Sequence, residues 1–163
     1  MTKNQLLSWG VLIEKNGKIH PTNAYAMLVG LPVLPNTIQC ALFKGKDRTN
    51  VLDMKNFSGP IYDQIDYAYQ FVLRNIKMKA TYELPIYAIR ELIVNAVAHR
   101  IYLDRDSIKV ALYDDRLEVT SPGKLPMSQT IEKMKSGNSK IRNEALVHVL
   151  EYLKYIGGIP RII

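Results

Sequence analysis

Residues 90–100, with the sequence RELIVNAVAHR, combine a helical apolar run with three evenly spaced polar side chains. Glu91, Asn95 and His99 are four residues apart, so in a helix each is rotated by about 40° from the last and all three share one face. The remaining positions are apolar almost all round, which is typical of a helix that is covered on most sides. The sequence therefore predicts a central helix that carries an acid, an amide and an imidazole in one row.

Two interpretations of this row are open from its spacing alone. In the structural one, Glu91 pairs with a nearby arginine, Asn95 caps a neighbouring backbone and His99 closes the helix end, since buried polar residues are usually hydrogen-bonded. In the chemical one the row faces a cavity, where a carboxylate positions a water and a carboxamide oxygen one turn away ligates Mg²⁺. Metal binding by His99 is not expected, because no second His or Cys lies at ligand spacing.

The composition predicts a folded protein with one sizeable core. The 163 residues are 47% hydrophobic and include ten tyrosines, enough for one domain or for two small lobes that share a core. The single cysteine, Cys40, excludes an internal disulfide and a zinc site built from cysteines. No apolar stretch reaches the roughly 20 residues of a membrane span, and no signal peptide is recognisable. These features predict a cytoplasmic protein.

The net charge of +7 is unevenly placed. Residues 1–81 carry ten Lys/Arg against five Asp/Glu, residues 82–126 carry six against seven, and residues 127–163 carry six against three. This excess permits contact with nucleic acid or phosphate, but no basic cluster forms a nucleic-acid arm.

Hydrophobic periodicity and turn residues predict the elements along the chain. Pro60 suits the first turn of an amphipathic helix, and paired aspartates mark the tight turn of a hairpin. Residues 4–13 are predicted to be the end of a helix that runs into a short strand. The other predicted helices cover residues 22–30, 60–78, 84–100, 127–136 and 142–156, and the other predicted strands lie within residues 37–45, 50–57, 107–115 and 116–123.

A string of segments resembles a family of bacterial transcriptional regulators related to RecG-like ATP-dependent helicases. In that family a GHKL-like ATPase domain follows a schlafen-type AlbA DNA-binding domain. The row E-x-x-x-N is similar to the N-box of the GHKL ATPases, which include gyrase, Hsp90, histidine kinases and MutL. The matching segments, in the order of the family, are PTNAYAMLVG, IQCALFKG, FSGPIYDQIDYAYQFVLRNI, YELPIYAIRELIVNAVAHR, YDDRLEVTSPGKLP, SKIRN and GGIPRI.

The resemblance implies a nucleotide site with ATP and Mg²⁺ as cofactors. Glu91 would be the catalytic acid that polarises water, and Asn95 would be the ligand of the metal and of phosphate. Ser121 and Gly123 would stand in the adenine-binding loop, and the lid and the phosphate-binding turn would follow. The further residues implied to contact the nucleotide are His99, Arg142, Asn143, Gly157 and Gly158.

The sequence departs from the family at three places. Ser121 replaces an aspartate that accepts from the adenine amino group, and Ile101 replaces the acid of a His-Arg-Asp-Tyr segment. The glycine turn is also shorter. A lost hydrogen bond to a buried ring leaves unpaired groups that cost about 1–3 kcal/mol. The sequence therefore predicts weakened ATP binding and hydrolysis that is weak or lost.

Together these patterns predict an α/β fold that resembles a GHKL (Bergerat-type) sandwich, with a mixed, mainly antiparallel sheet and helices on one face. Residues 1–58 would form a small N-terminal α+β lobe and residues 59–163 the GHKL-like domain. The function implied is a nucleotide-binding regulatory module whose DNA contacts lie in parts absent from this chain, since its apolar end predicts an excised piece. The alternatives are a degenerate scaffold for homodimerisation or domain linkage, and direct DNA binding.

Overall fold

The computed structural model describes residues 1–76, 84–123 and 143–156. Within these ranges the strands occur in consecutive pairs, and helices separate the pairs. In chain order the elements are α1 (Lys3–Ser8), β1 (Leu12–Lys15), β2 (Lys18–Pro21), α2 (Asn23–Val29), β3 (Ile38–Lys44), β4 (Asn50–Phe57), α3 (Ile61–Ile76), α4 (Ile86–His99), β5 (Ile108–Leu112), β6 (Leu117–Thr120) and α5 (Glu144–Tyr152).

A four-stranded sheet with the order β4-β3-β5-β6 forms the centre of the fold. The central pair, β3 and β5, is parallel and places Cys40 opposite Val110. The two outer pairs, β3 with β4 and β5 with β6, are antiparallel. The predicted α/β fold with a mixed, mainly antiparallel sheet is therefore confirmed.

Side chains of β3 alternate between the two faces of the sheet, as the two-residue period of a strand requires. Ile38, Cys40 and Leu42 enter the main core together with buried residues of α3 and α4. Ala41 and Phe43 point to the opposite face, where they form a small cluster with residues of β5. The helices thus cover one face of the sheet, and the main core lies between them and the strands.

The two long helices pack on the sheet through apolar faces of different width. α3 buries one stripe that includes Ile65, Ala68 and Val72, so it is amphipathic as its sequence predicts. α4 buries Ile93, Val97 and neighbouring residues around most of its circumference. The start of α3 and both ends of α4 lie within two residues of the predicted positions, and the predicted end of α3 at residue 78 lies outside the described residues.

The N-terminal segment forms a separate hairpin beside the helices. β1 and β2 pair antiparallel with each other, and the turn between them places Asn16 and Gly17 at φ 54° and 70°. This is the left-handed geometry that an Asn-Gly hairpin turn requires. The sequence did not predict β2, because all four residues of that strand are exposed and carry no alternating pattern.

Two of the predicted helices lie partly or wholly outside the residues that the structure describes. The helix predicted for residues 127–136 lies outside the described residues, and the helix predicted for residues 142–156 is observed as α5 from Glu144 to Tyr152. Among the described residues, no helix is long and apolar enough to cross a bilayer. The division of the chain at residue 58 stays a prediction, although β3 and β5 from its two sides share one sheet.

Candidate functional site

Glu91 and Asn95 lie on the outer face of α4. Both side chains are exposed, and neither makes a hydrogen bond to any residue in the described ranges. Tyr87 and Leu92, on the same side of the helix, are 61% and 48% exposed. The acid and the amide are therefore not sealed in the core, which the structural interpretation of the row required.

The arginines on either side of Glu91 have other partners. Arg90 lies 3.8 Å from an Asp66 carboxylate oxygen, and its guanidinium stacks 4.5 Å above the ring of Tyr155. The Tyr155 hydroxyl donates to the other Asp66 oxygen at 2.6 Å. This cluster ties the segment after α5 to α3 and α4, and no arginine among the described residues pairs with the carboxylate of Glu91.

Side chains from three parts of the chain satisfy the last carbonyls of α4. The final turn of any helix leaves carbonyl groups without an intrahelical donor. α4 ends at His99 without a glycine, and Arg100 follows with extended backbone angles. The donors and their acceptor carbonyls are Ser121 Oγ with Ala96 at 2.8 Å, Tyr102 hydroxyl with Val97 at 2.9 Å, and Asn143 Nδ2 with Ala98 at 2.8 Å.

This closure changes what Ser121 and Asn143 can offer to a ligand. Asn143 donates a second hydrogen bond, to the carbonyl of Arg100 at 2.9 Å, so both of its amide protons are used. Only its carboxamide oxygen is left, and that oxygen is an acceptor. The hydroxyl of Ser121 likewise donates its proton to a carbonyl of α4. Its oxygen lone pairs can still accept a hydrogen bond, for example from the amino group of a nucleotide base.

The loop after β6 packs directly on the segment that follows α4. The backbone N–H of Ile101 donates to the carbonyl of Pro122 at 3.0 Å. Gly123 has a φ of 119°, and a Cβ added there would lie 2.5 Å from Ile101 Cγ1. Only glycine fits such a contact, so packing alone explains the presence of glycine at position 123.

Arg100 is fully buried beneath this region. Its guanidinium donates to the carbonyls of Asp106 at 2.6 Å and Asp104 at 3.3 Å, and burial lowers the pKa of the side chain. It also lies 5.0 Å from the ring of Tyr102. The sequence did not predict this role of Arg100, because its acceptors are backbone carbonyl groups that no side-chain pattern reveals.

A cavity of about 500 Å³ lies behind the same segment. Its walls come from α2, the chain after α4 and the start of α5, and they include Met27, Leu103 and Ala145. Neither Glu91 nor Asn95 lines it. This cavity is therefore separate from the polar row on α4.

The described part of the predicted site converges on the C-terminal half of α4. Ser121, Gly123 and Asn143 all contact that half of the helix or the segment after it. His99 is half-buried at its end. The remaining predicted contacts, Arg142, Gly157 and Gly158, lie outside the described residues.

The polar row could supply the small number of protein ligands that a magnesium ion requires. Mg²⁺ takes oxygen ligands and is usually held by one or two protein groups together with phosphates and water. Asn95 is exposed, and its carboxamide oxygen accepts no hydrogen bond from the part of the chain that the structure describes, so it is available for such a contact. Across the described ranges, no group of three or more His, Cys, Asp or Glu side chains is placed to hold a metal ion.

Comparisons with known proteins agree with this architecture. Residues 106–163 match a family described as "Putative ATP-dependent DNA helicase recG C-terminal". The fold is similar to that of the DIP2311 protein from Corynebacterium diphtheriae, with a TM-score of 0.73 and 26% sequence identity. That similarity covers 96% of this chain and 28% of the other, so this chain spans little more than a quarter of that protein's length. No curated protein matches the sequence.

Proposed function

We propose that this chain is the nucleotide-binding regulatory module of a bacterial transcriptional regulator and that it binds Mg-ATP on the outer face of α4. One observation carries the proposal. Glu91 and Asn95, one helical turn apart, stay exposed on a helix that is otherwise buried on most sides. Neither side chain has a hydrogen-bonding partner among the described residues, so both are available to a bound phosphate and its metal ion.

The family match supports the nucleotide part of the proposal. The matched residues 106–163 begin after α4 and include β5, β6 and α5. These elements supply Ser121 and Asn143, the two side chains that bind the C-terminal carbonyls of α4. The part of the chain that resembles an ATPase domain therefore packs on the helix that carries the polar row.

The chemistry assigned to each group follows from what it offers. The carboxamide oxygen of Asn95 would contact magnesium, which supplies charge neutralisation at the phosphates when it is bound. The carboxylate of Glu91 would orient a water toward the terminal phosphate. Ser121 would accept a hydrogen bond from the base amino group, as a neutral and weaker acceptor than a carboxylate. Binding is then weaker than in a full GHKL site, and hydrolysis is slow or lost.

The regulatory role rests on resemblance and on length. The related DIP2311 protein is more than three times as long as this chain, because the similarity covers 28% of it. DNA contact would belong to the parts that this chain does not include. Nucleotide binding on α4 would then affect those parts through the elements that contact the C-terminal end of the helix.

A degenerate scaffold is the second candidate, and one observation favours it. Ser121 and Asn143 both donate hydrogen bonds to carbonyl groups at the C-terminal end of α4, which is a structural role that needs no ligand. In a scaffold these two side chains would stabilise the domain, and the row on α4 would be without function. The two candidates differ in their response to nucleotide.

Thermal unfolding with Mg-ATP and Mg-ADP tests the proposal. A ligand at ten times its Kd stabilises the folded state by about 1.4 kcal/mol, which raises the Tm of a chain of this size by roughly 3–6 °C. We expect such a rise for the wild type at millimolar nucleotide and its loss in Asn95→Ala. Gln70→Ala, which removes an exposed amide from α3, is the matched control and should keep the full response.

The scaffold is the correct interpretation if the wild type shows no rise with either nucleotide at millimolar concentration. Glu91→Gln separates binding from hydrolysis. It should keep the rise in Tm and abolish any release of phosphate, because the amide preserves the shape of the side chain without its basicity.

A further inference from the structure

We propose that two copies of this chain associate through their β4 strands and form one continuous eight-stranded sheet. β4 is an edge of the sheet, and its only neighbour among the described strands is β3. Such an edge presents unpaired N–H and C=O groups that are a template for another strand. β4 is eight residues long and exposes three large apolar side chains, Val51, Leu52 and Met54, by 49%, 58% and 45%.

The charges of β4 select a second copy as the partner. Asp53 and Lys55 flank Met54 and project to one side of the strand, with 4.0 Å between Lys55 Nζ and Asp53 Oδ1. When two copies pair antiparallel with Met54 opposite Met54 of the second copy, each Asp53 lies opposite a Lys55. Opposite charges directly across an antiparallel pair attract, and like charges repel.

The same charges exclude the neighbouring registers. A shift that centres the pair on Asp53 puts two aspartates opposite each other, and a shift that centres it on Lys55 puts two lysines opposite each other. A one-residue shift in the pairing would place helix-side residues against open-face residues. Near the middle of the strand, only the register centred on Met54 both pairs opposite charges and pairs side chains that lie on the same face of the sheet.

The two sheet faces are also consistent with this arrangement. Residues of β4 opposite Leu42 and Cys40 point to the side of the helices, and Met54, opposite Ala41, points to the open face. A two-fold axis perpendicular to the sheet keeps the helices of both copies on one side. Met54 then meets its counterpart on the open face, where its exposed surface is removed from water.

A second contact would lie on the side of the helices. The ring of Phe57, at the end of β4, is 5.6 Å from the ring of Tyr67 on α3. Tyr67 is 52% exposed, and its contact with Phe57 places it near the end of the edge strand. In the dimer, the Tyr67 side chains would occupy space between the two copies on the side of the helices. The interface would then include side-chain contacts in addition to the hydrogen bonds between the two strands.

Charge exchange between Asp53 and Lys55 tests the register directly. Asp53→Lys places lysine opposite lysine at two symmetric positions, and Lys55→Asp places aspartate opposite aspartate. Either change should raise the dimer Kd by roughly tenfold or more. The double variant Asp53→Lys/Lys55→Asp restores both attractive pairs, so it should dimerise about as well as the wild type.

Sedimentation equilibrium of the full chain over a range of concentrations provides the measurement. The wild type should shift from a monomer of 18.6 kDa toward a species of about twice that mass. Glu14→Lys is the control, because it makes the same acid-to-lysine change at an exposed position in β1. It should leave the monomer–dimer equilibrium unchanged. Circular dichroism spectra show whether each variant is folded.

Three outcomes overturn the proposal. The first is a wild-type chain that stays monomeric at millimolar concentration. The second is a dimer that Asp53→Lys does not weaken, which places the contact elsewhere. The third is failure of the double variant to recover, which shows that the two residues do not face each other. None of these outcomes depends on nucleotide binding.

Discussion

Cys40 shows how burial alone sets the chemistry of a side chain. It lies on β3, faces the helices and is fully buried, and burial raises the pKa of its thiol to about 12. A thiolate is the reactive form of cysteine. The single cysteine of this chain is therefore a packing residue in the folded state, as its apolar neighbours in the sequence indicate.

This burial predicts a pH dependence of stability with a definite sign. In the unfolded chain the thiol loses its proton near 9, and in the folded chain it does so only near 12. The contribution of Cys40 to the free energy of unfolding is thus complete below pH 9 and declines above it, by up to about 1.4 kcal/mol per pH unit. Denaturant titrations at pH 8 and pH 10 should show this decline in the wild type.

Cys40→Ala provides the comparison, because it removes the titrating group and should flatten that part of the decline. Thiol labelling supplies a second readout. At pH 8 the folded chain should react with a disulfide reagent at least about 100-fold more slowly than the chain in denaturant, since only about one thiol in 10⁴ is ionised at a pKa four units higher. Rapid labelling of the folded chain would contradict the burial of Cys40.

At the same scale, the sequence indicated which residues matter on α4 but not how each one is used. The four-residue spacing was sufficient to place Glu91 and Asn95 on one face, because helical geometry is fixed. It could not show that Asn143, 48 positions after Asn95, would bind the end of the same helix. That contact depends on tertiary packing, which local spacing does not record.

Among the elements, α4 depends most on its neighbours for its stability. Its C-terminal carbonyls are satisfied by side chains from β6, α5 and the chain after α4. Helices commonly end at a glycine that turns the chain and satisfies these carbonyls locally. Here the helix end is held by long-range contacts, so its stability depends on the docking of the C-terminal part.

Asn143→Ala should lower the free energy of unfolding by about 1–3 kcal/mol. It removes both hydrogen bonds to the end of α4 and leaves two partly buried carbonyls without donors. Gln70→Ala, which removes an exposed amide from α3, should change stability by less than about 0.5 kcal/mol. Chemical denaturation of both variants measures the difference. Equal effects would mean that Asn143 does not support α4.

The elements themselves were largely predictable where a periodic pattern is strong. α3 and α4 have long runs with apolar residues at three- and four-residue steps, and the start of α3 and both ends of α4 differ from the predicted positions by one or two residues. β2 was missed because it buries none of its residues. The pairing order of the sheet was not predictable either, since β3 and β5 are separated by two helices in the sequence.

Over the whole molecule, the two predicted parts of the chain are joined at the centre of the sheet. β3 comes from residues 1–58, and it lies between β4 and β5. Its buried side chains share one core cluster with α3, α4 and β5. At the other end of the chain, α5 packs against the N-terminus, where Trp9 lies 5.6 Å from the ring of Tyr152. These contacts predict one cooperative unit.

The single tryptophan and the helices provide two independent probes of this cooperativity. Trp9 reports on the contact between the N-terminal segment and α5, because it also stacks 6.3 Å from His148, and far-ultraviolet circular dichroism reports mainly on α3 and α4. Both signals should give the same denaturation midpoint. Residues 59–163 expressed alone should fail to fold, because β5 would lose its parallel neighbour and the core would lose the apolar face of β3. A folded fragment, or two separate midpoints, would show instead that the chain divides into independent domains at residue 58.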